Sequence, residues 1–82
     1  MMRPLTPTEA SVLREAIAVE SGAAPSRACT DAEIAAFWAL HAVGRAATVP
    51  STLFPGVPRI VVTAAGREAL RIYEWMAVGG IT

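Results

Sequence analysis

Apolar residues recur at helical spacing in three parts of the chain, and a threonine precedes each part. In "LTPTEASVLREAIAVESG", Ala10, Leu13, Ala16 and Ile17 share one face, with Val12 and Val19 flanking it. Ser11, Arg14 and Glu15 cover the other side. Thr6 is placed to cap this helix, and Glu9 lies three residues on, where its carboxylate reaches back to the cap backbone. Pro7 falls at the first helical position, where its missing N–H is no loss. Gly22 supplies the C-terminal cap, so the pattern predicts a helix from Pro7 to about Ser21.

The second part, "TDAEIAAFWALHAVGR", repeats the device with Thr30 and Glu33, and predicts a helix from Asp31 to about Arg45, loosened or ended by Gly44. It is apolar on nearly every side. Ala36, Phe37, Leu40 and Val43 make one stripe, read as core-facing, and Ile34, Trp38, His41 and Arg45 make an adjoining one. The third part, "TAAGREALRIYEWM", is capped by Thr63. Ala65, Ala69, Leu70, Ile72, Tyr73, Met76 and Ala77 form its expected buried arc, with Arg67, Glu68, Arg71 and Glu74 opposite. Gly66 lies near the buried arc, which implies that another backbone passes close by. Trp75 falls on the polar side, one turn beyond Arg71, and is expected to lie along that guanidinium. The tail Val78–Thr82 is expected to fray.

Between the second and third helices the period changes. In "ATVPSTLFPGVPRIVVT" β-branched residues replace the helical pattern, and Thr48–Val49 and Arg59–Val62 read as two short strands turning at Pro55–Gly56. Prolines at 50, 55 and 58 punctuate this stretch and confine the first strand to an edge role, and two strands alone are marginal, so the hairpin must pack on helices. The connection "GAAPSRAC" has room for one helical turn at most. The fold class is therefore α+β: three helices plus a short two-stranded β-hairpin, in one small domain spanning residues 1–82.

Composition adds a partner and removes several. Hydrophobic residues make up 54% of the chain, and a domain this small has little interior in which to hide them, so apolar surface is left over; seventeen alanines account for part of the excess. Seven arginines, no lysine and seven acids give zero net charge, which provides no general attraction to nucleic acid or to an anionic membrane. Arginine without lysine, with abundant alanine, points to a GC-rich genome, hence a bacterium or its phage. The single cysteine, Cys29, forbids an internal disulfide and fits a reducing cytoplasm. The N-terminal residues lack a signal-peptide apolar core, and no apolar run approaches the about 20 residues that cross a membrane.

Catalytic chemistry finds no footing. His41 and Cys29 are twelve residues apart with no second histidine or cysteine, which makes neither a metal-ligand set nor an oriented nucleophile. The glycines form no phosphate-binding loop. No cofactor, metal or catalytic residue is expected.

The element order and a few positions resemble the C-terminal half of winged-helix proteins of the MarR-like kind. The resemblance covers about residues 33–72. It rests on Leu40 followed four residues later by Gly44, on the hairpin, and on the Thr63-x-x-Gly66-Arg67 helix start. It implies that residues 31–45 match a recognition helix and the hairpin a wing. The brace helix that normally precedes a recognition helix has no room here, so the implied fold is a reduced winged helix.

Base reading needs Arg, Lys, Asn or Gln aimed at base edges, whereas the matching stripe offers Ile34, Trp38 and His41, with Arg45 only at its end. Those four residues instead have the composition of a protein-interface anchor, unless Trp38 folds under the first helix or the hairpin as core. The expected function is a non-catalytic protein-binding module, acting as a homodimer or as a small phage or bacterial adaptor or inhibitor. Anti-CRISPR proteins share its size and its lack of catalytic residues, an analogy of scale only. The alternative is a small DNA-binding transcriptional regulator of winged-helix type.

Overall fold

A computed structural model describes residues 3–50, 56 and 58–77. The elements follow one another as α1 (Pro7–Glu20), α2 (Asp31–Ala42), β1 (Ala46–Pro50), β2 (Pro58–Val62) and α3 (Ala64–Ala77). The fold is α+β, three helices and a two-stranded antiparallel hairpin. The expected frayed tail and the Pro55 half of the turn lie outside the described residues.

Capping boxes open both α1 and α2. The Thr6 hydroxyl accepts from the Glu9 N–H at 3.1 Å while Glu9 Oε1 accepts from the Thr6 N–H at 2.9 Å. Thr30 and Glu33 do the same at 3.2 and 2.8 Å. Replacing Thr30 with alanine is expected to lower stability by about 0.5–2 kcal/mol, read from urea unfolding; an unchanged midpoint would remove the cap from the account.

Both helices end in the same way. After α1, Gly22 takes φ +81° and the Ala23 N–H donates back to the Ala18 carbonyl at 2.8 Å. After α2, Gly44 takes φ +76°, its N–H donates to the His41 carbonyl at 3.1 Å, and the Arg45 N–H donates to the Leu40 carbonyl at 2.9 Å. This is the Schellman arrangement, which uses a left-handed glycine to satisfy the last carbonyls and turns the chain sharply. It stops α2 at Ala42, three residues before the expected end. Val43 becomes the cap and leaves the core-facing stripe; it is exposed.

The turned chain enters β1, which pairs with β2 in the register Ala46↔Val62 through Pro50↔Pro58. The strands are longer than expected, and the two prolines sit opposite each other at the far end, where a missing N–H breaks no inner ladder bond. At the near end Thr63 ties three pieces together. Its hydroxyl donates to the Gly44 carbonyl at 2.6 Å and accepts from the Gly66 N–H at 3.1 Å, capping α3. Gly66 is buried, and a Cβ there would overlap the Arg45 carbonyl oxygen and come within 2.9 Å of Val62 Cγ1. The close backbone expected at Gly66 is that of Arg45.

The core joins Leu5, Val12 and Leu13 to Phe37 and Leu40 of α2, Val62 of β2 and Leu70 of α3. Helix α1 lies at its centre, packing on α2, β2 and α3. Salt bridges fasten the edges. Arg14 holds Glu74 at 2.9 Å and Arg67 holds Glu20 at 3.2 Å, both between α1 and α3. The connection from Gly22 to Thr30 contains no helical turn. Arg27 holds it instead, reaching Glu15 of α1 at 2.6 Å and Glu33 of α2 at 2.5 Å. The bond from Arg27, with the Thr30 backbone N–H, pulls the Glu33 carboxyl down to about 2.

The expected buried arc of α3 is only partly buried. Leu70 is in the core and Ala69 and Tyr73 are half-buried, but Ala65, Ile72, Met76 and Ala77 are exposed. The reason is topological: α3 packs on α1 and β2, and among the described residues no other element packs closely on its remaining apolar side. No helix among the described residues is long and apolar enough to cross a membrane.

Candidate protein-interaction face

Helix α2 buries Ala36, Phe37 and Leu40 against α1 and β1. Helical spacing then carries Asp31, Ile34, Ala35, Trp38, His41 and Ala42 to the outer side, and all six are exposed. Trp38 is 59% exposed and Ile34 44% exposed. Trp38 does not fold under α1 or the hairpin.

Its ring is nonetheless held in place. The Phe37 and Trp38 rings meet edge-to-face with centroids 5.1 Å apart, and Trp38 meets His41 in the same way at 5.6 Å. Phe37 also touches His41 at 5.8 Å. Because Phe37 is a core residue, the outer pair leans on a fixed support. Such T-shaped contacts are worth about 0.5–1.5 kcal/mol each beyond burial, enough to limit the rotamers that Trp38 samples before a partner arrives.

Three of the four residues read as an interface stripe come together here: Ile34, Trp38 and His41. Arg45 does not. It is 3% exposed, because the left-handed Gly44 breaks the helical period and turns the next residue inward. Arg45 Nη2 donates to the Arg3 carbonyl at 2.7 Å, so the arginine fastens the N-terminal segment over the core. The side chain of Arg3 continues this link. It donates to both carboxylate oxygens of buried Glu9, at 2.8 and 2.5 Å, and with the Thr6 N–H holds that carboxyl below its usual range. The Thr-x-x-Glu spacing exposed the capping role of Glu9, but nothing local announced its partner six residues upstream.

A second apolar surface lies on α3, where Ile72 and Met76 of the expected buried arc are exposed. Ile72, Trp75 and Met76 on α3 are 48, 53 and 52% exposed. Beside them an open groove of about 350 Å³ is lined by Pro4, Leu5, Ile72, Tyr73, Met76 and Ala77. Trp75 does point outward as expected, but the Arg71 guanidinium engages Glu68. Cys29 is exposed, and no three His, Cys, Asp or Glu side chains converge on a metal site among the described residues.

Comparison with known proteins returned no match among family models, curated proteins or solved structures.

Proposed function

We propose that this chain is a non-catalytic protein-binding module, built as a reduced winged helix, which captures its partner through the Ile34–Trp38–His41 face of α2. One observation carries the reading: Trp38 stands 59% exposed on the side of α2 away from the core, on a ring cluster anchored by a buried phenylalanine. A tryptophan presents about 150–250 Å² when free, so roughly 100–150 Å² of it remains in water, worth about 3 kcal/mol on docking at about 25 cal/mol/Å². Tryptophan is also the residue type most enriched among interface anchors. The element order, the Gly44 stop and the Thr63–Gly66 helix start support the winged-helix part of the reading.

The electrostatics favour a protein over a phosphate backbone. Arg3, Arg14, Arg27, Arg67 and Arg71 are each bound to a carboxylate, and Arg45 is buried. A phosphate contact at any of the first five would first have to break an ion pair, which leaves Arg59, exposed on β2 and in no salt bridge among the described residues, as the one arginine open to such a contact. The α2 face itself carries no Arg, Lys, Asn or Gln to read a base edge. In fluorescence anisotropy with duplex DNA the expected affinity at physiological salt is no tighter than about 10⁻⁴–10⁻⁶ M, the non-specific range. A nanomolar, salt-sensitive complex with a defined sequence would replace this reading with that of a DNA-binding regulator. A bacterial or phage adaptor or inhibitor working in the cytoplasm is the setting that the composition and the lone thiol fit best. The decisive test is Trp38→Ala, followed by thermal unfolding and by mass in solution.

A further inference from the structure

We infer that the partner of this face is a second copy of the chain, α2 packing antiparallel on α2, with Asp31 of each protomer facing the partner's His41. The inference rests on the docking role proposed for the face and adds the occupant and the register.

The face is complementary to itself. Asp31 and His41 lie five positions either side of residue 36, and Ile34 and Trp38 lie two either side of it. A two-fold axis at that level, perpendicular to the helix, exchanges the members of each pair. It brings Ile34 against the partner's Trp38 and Asp31 against the partner's His41, and forms both contacts twice, as an isologous interface requires. Ala35 is exposed at the same level and offers only a methyl group, which lets two helices close to about 8–10 Å.

The charges choose the same register. Every glutamate among the described residues is in a salt bridge, whereas Asp31 makes none there. It sits in the first turn of α2 and His41 in the last. An antiparallel pair sets each of these ends beside the opposite end of its neighbour, so the carboxylate meets a donor and the helix dipoles oppose. A neutral imidazole donates one N–H to a carboxylate, and a protonated one adds a charge. A foreign partner would have to supply this complement, whereas a second copy already contains it.

The test is sedimentation equilibrium on the full chain and on Asp31→Lys, His41→Glu and the double exchange, with thermal unfolding of each at low concentration. The wild-type chain is expected to be dimeric. Each single change, which sets like charges or two donors face to face, is expected to weaken association roughly tenfold or more. The double exchange restores opposite charges across the axis and is expected to recover most of that loss. A chain still monomeric at about 1 mM, the weak end of measurable association, overturns the inference. So does a dimer in which the double exchange associates no better than the single changes. Either result leaves the docking role of Trp38 standing. That role fails separately, if Trp38→Ala unfolds the chain as loss of a core aromatic would.

Discussion

Gly66→Ala is expected to lower the melting temperature by about 8–16 °C, from a net loss of about 2 kcal/mol in a domain where each kcal/mol moves the midpoint by about 4–8 °C. Two effects oppose each other at this position. Alanine is the better helix former, by about 1 kcal/mol in a helix interior, so propensity alone says that the change stabilises. Packing says otherwise. The added methyl would overlap the Arg45 carbonyl oxygen, with the Arg45 carbonyl carbon at 3.0 Å and Val62 Cγ1 at 2.9 Å. The oxygen and carbon belong to the backbone, so no rotamer change relieves the clash. Either α3 or the start of β1 must move, and both are held by Thr63. Overpacking of this kind costs about 1–3 kcal/mol or more, which outweighs the propensity gain. Differential scanning calorimetry decides between them: an alanine variant as stable as the parent would mean that Arg45 and α3 are not in contact.

The second large effect is expected in association. Trp38→Ala should weaken binding through α2 by about 2 kcal/mol or more, roughly thirtyfold, because the change removes the anchor of the face. The same change should lower the melting temperature by only several degrees, the share of its edge contacts with Phe37 and His41, since Trp38 is mostly in water before it binds. Phe37→Ala is the internal contrast. Phe37 is 6% exposed, and its truncation should cost the about 3–5 kcal/mol typical of a core aromatic. Thermal unfolding and light scattering on the three proteins separate the roles of two adjacent aromatic residues. If Trp38→Ala unfolds like Phe37→Ala and the mass in solution is unchanged, Trp38 is a structural residue and the α2 face is not an interface.

The local devices could be read from the chain because each is completed within four residues. A threonine followed three positions later by a glutamate forms its capping box whatever surrounds it, and both boxes are present. Gly66 was legible for a related reason: glycine on the apolar side of a helix needs an explanation, and close backbone is the usual one. The outward stripe of α2 followed from spacing for Ile34, Trp38 and His41. Spacing then misled at Arg45, because the helical period was carried one residue past a left-handed glycine. Val43 failed for a different reason: the helix ends at Ala42, and Val43, as its cap, no longer follows the helical period. On α3 the pattern gave the apolar arc correctly but not how much of it would be covered, since that depends on how many neighbours the topology provides. The Arg3–Glu9 and Arg27–Glu15 pairs were hidden because long side chains choose partners through space, across six and twelve positions of sequence.

The hydrogen bond from Thr63 to the Gly44 carbonyl closes a loop of nineteen positions at its neck. Once the neck of a loop is fixed, its length enters the folding free energy only as a logarithm, about 0.6 kcal/mol for each doubling. The clasp therefore divides the molecule by evolvability. At the neck, Gly44, Thr63 and Gly66 are bound to one another's geometry, and a change in one must be answered by the others. Beyond Pro50 and Pro58 the ladder between the strands ends, and there a change in the length of the connection enters only through that logarithm. A lineage could lengthen this end at that small cost while the neck keeps its geometry.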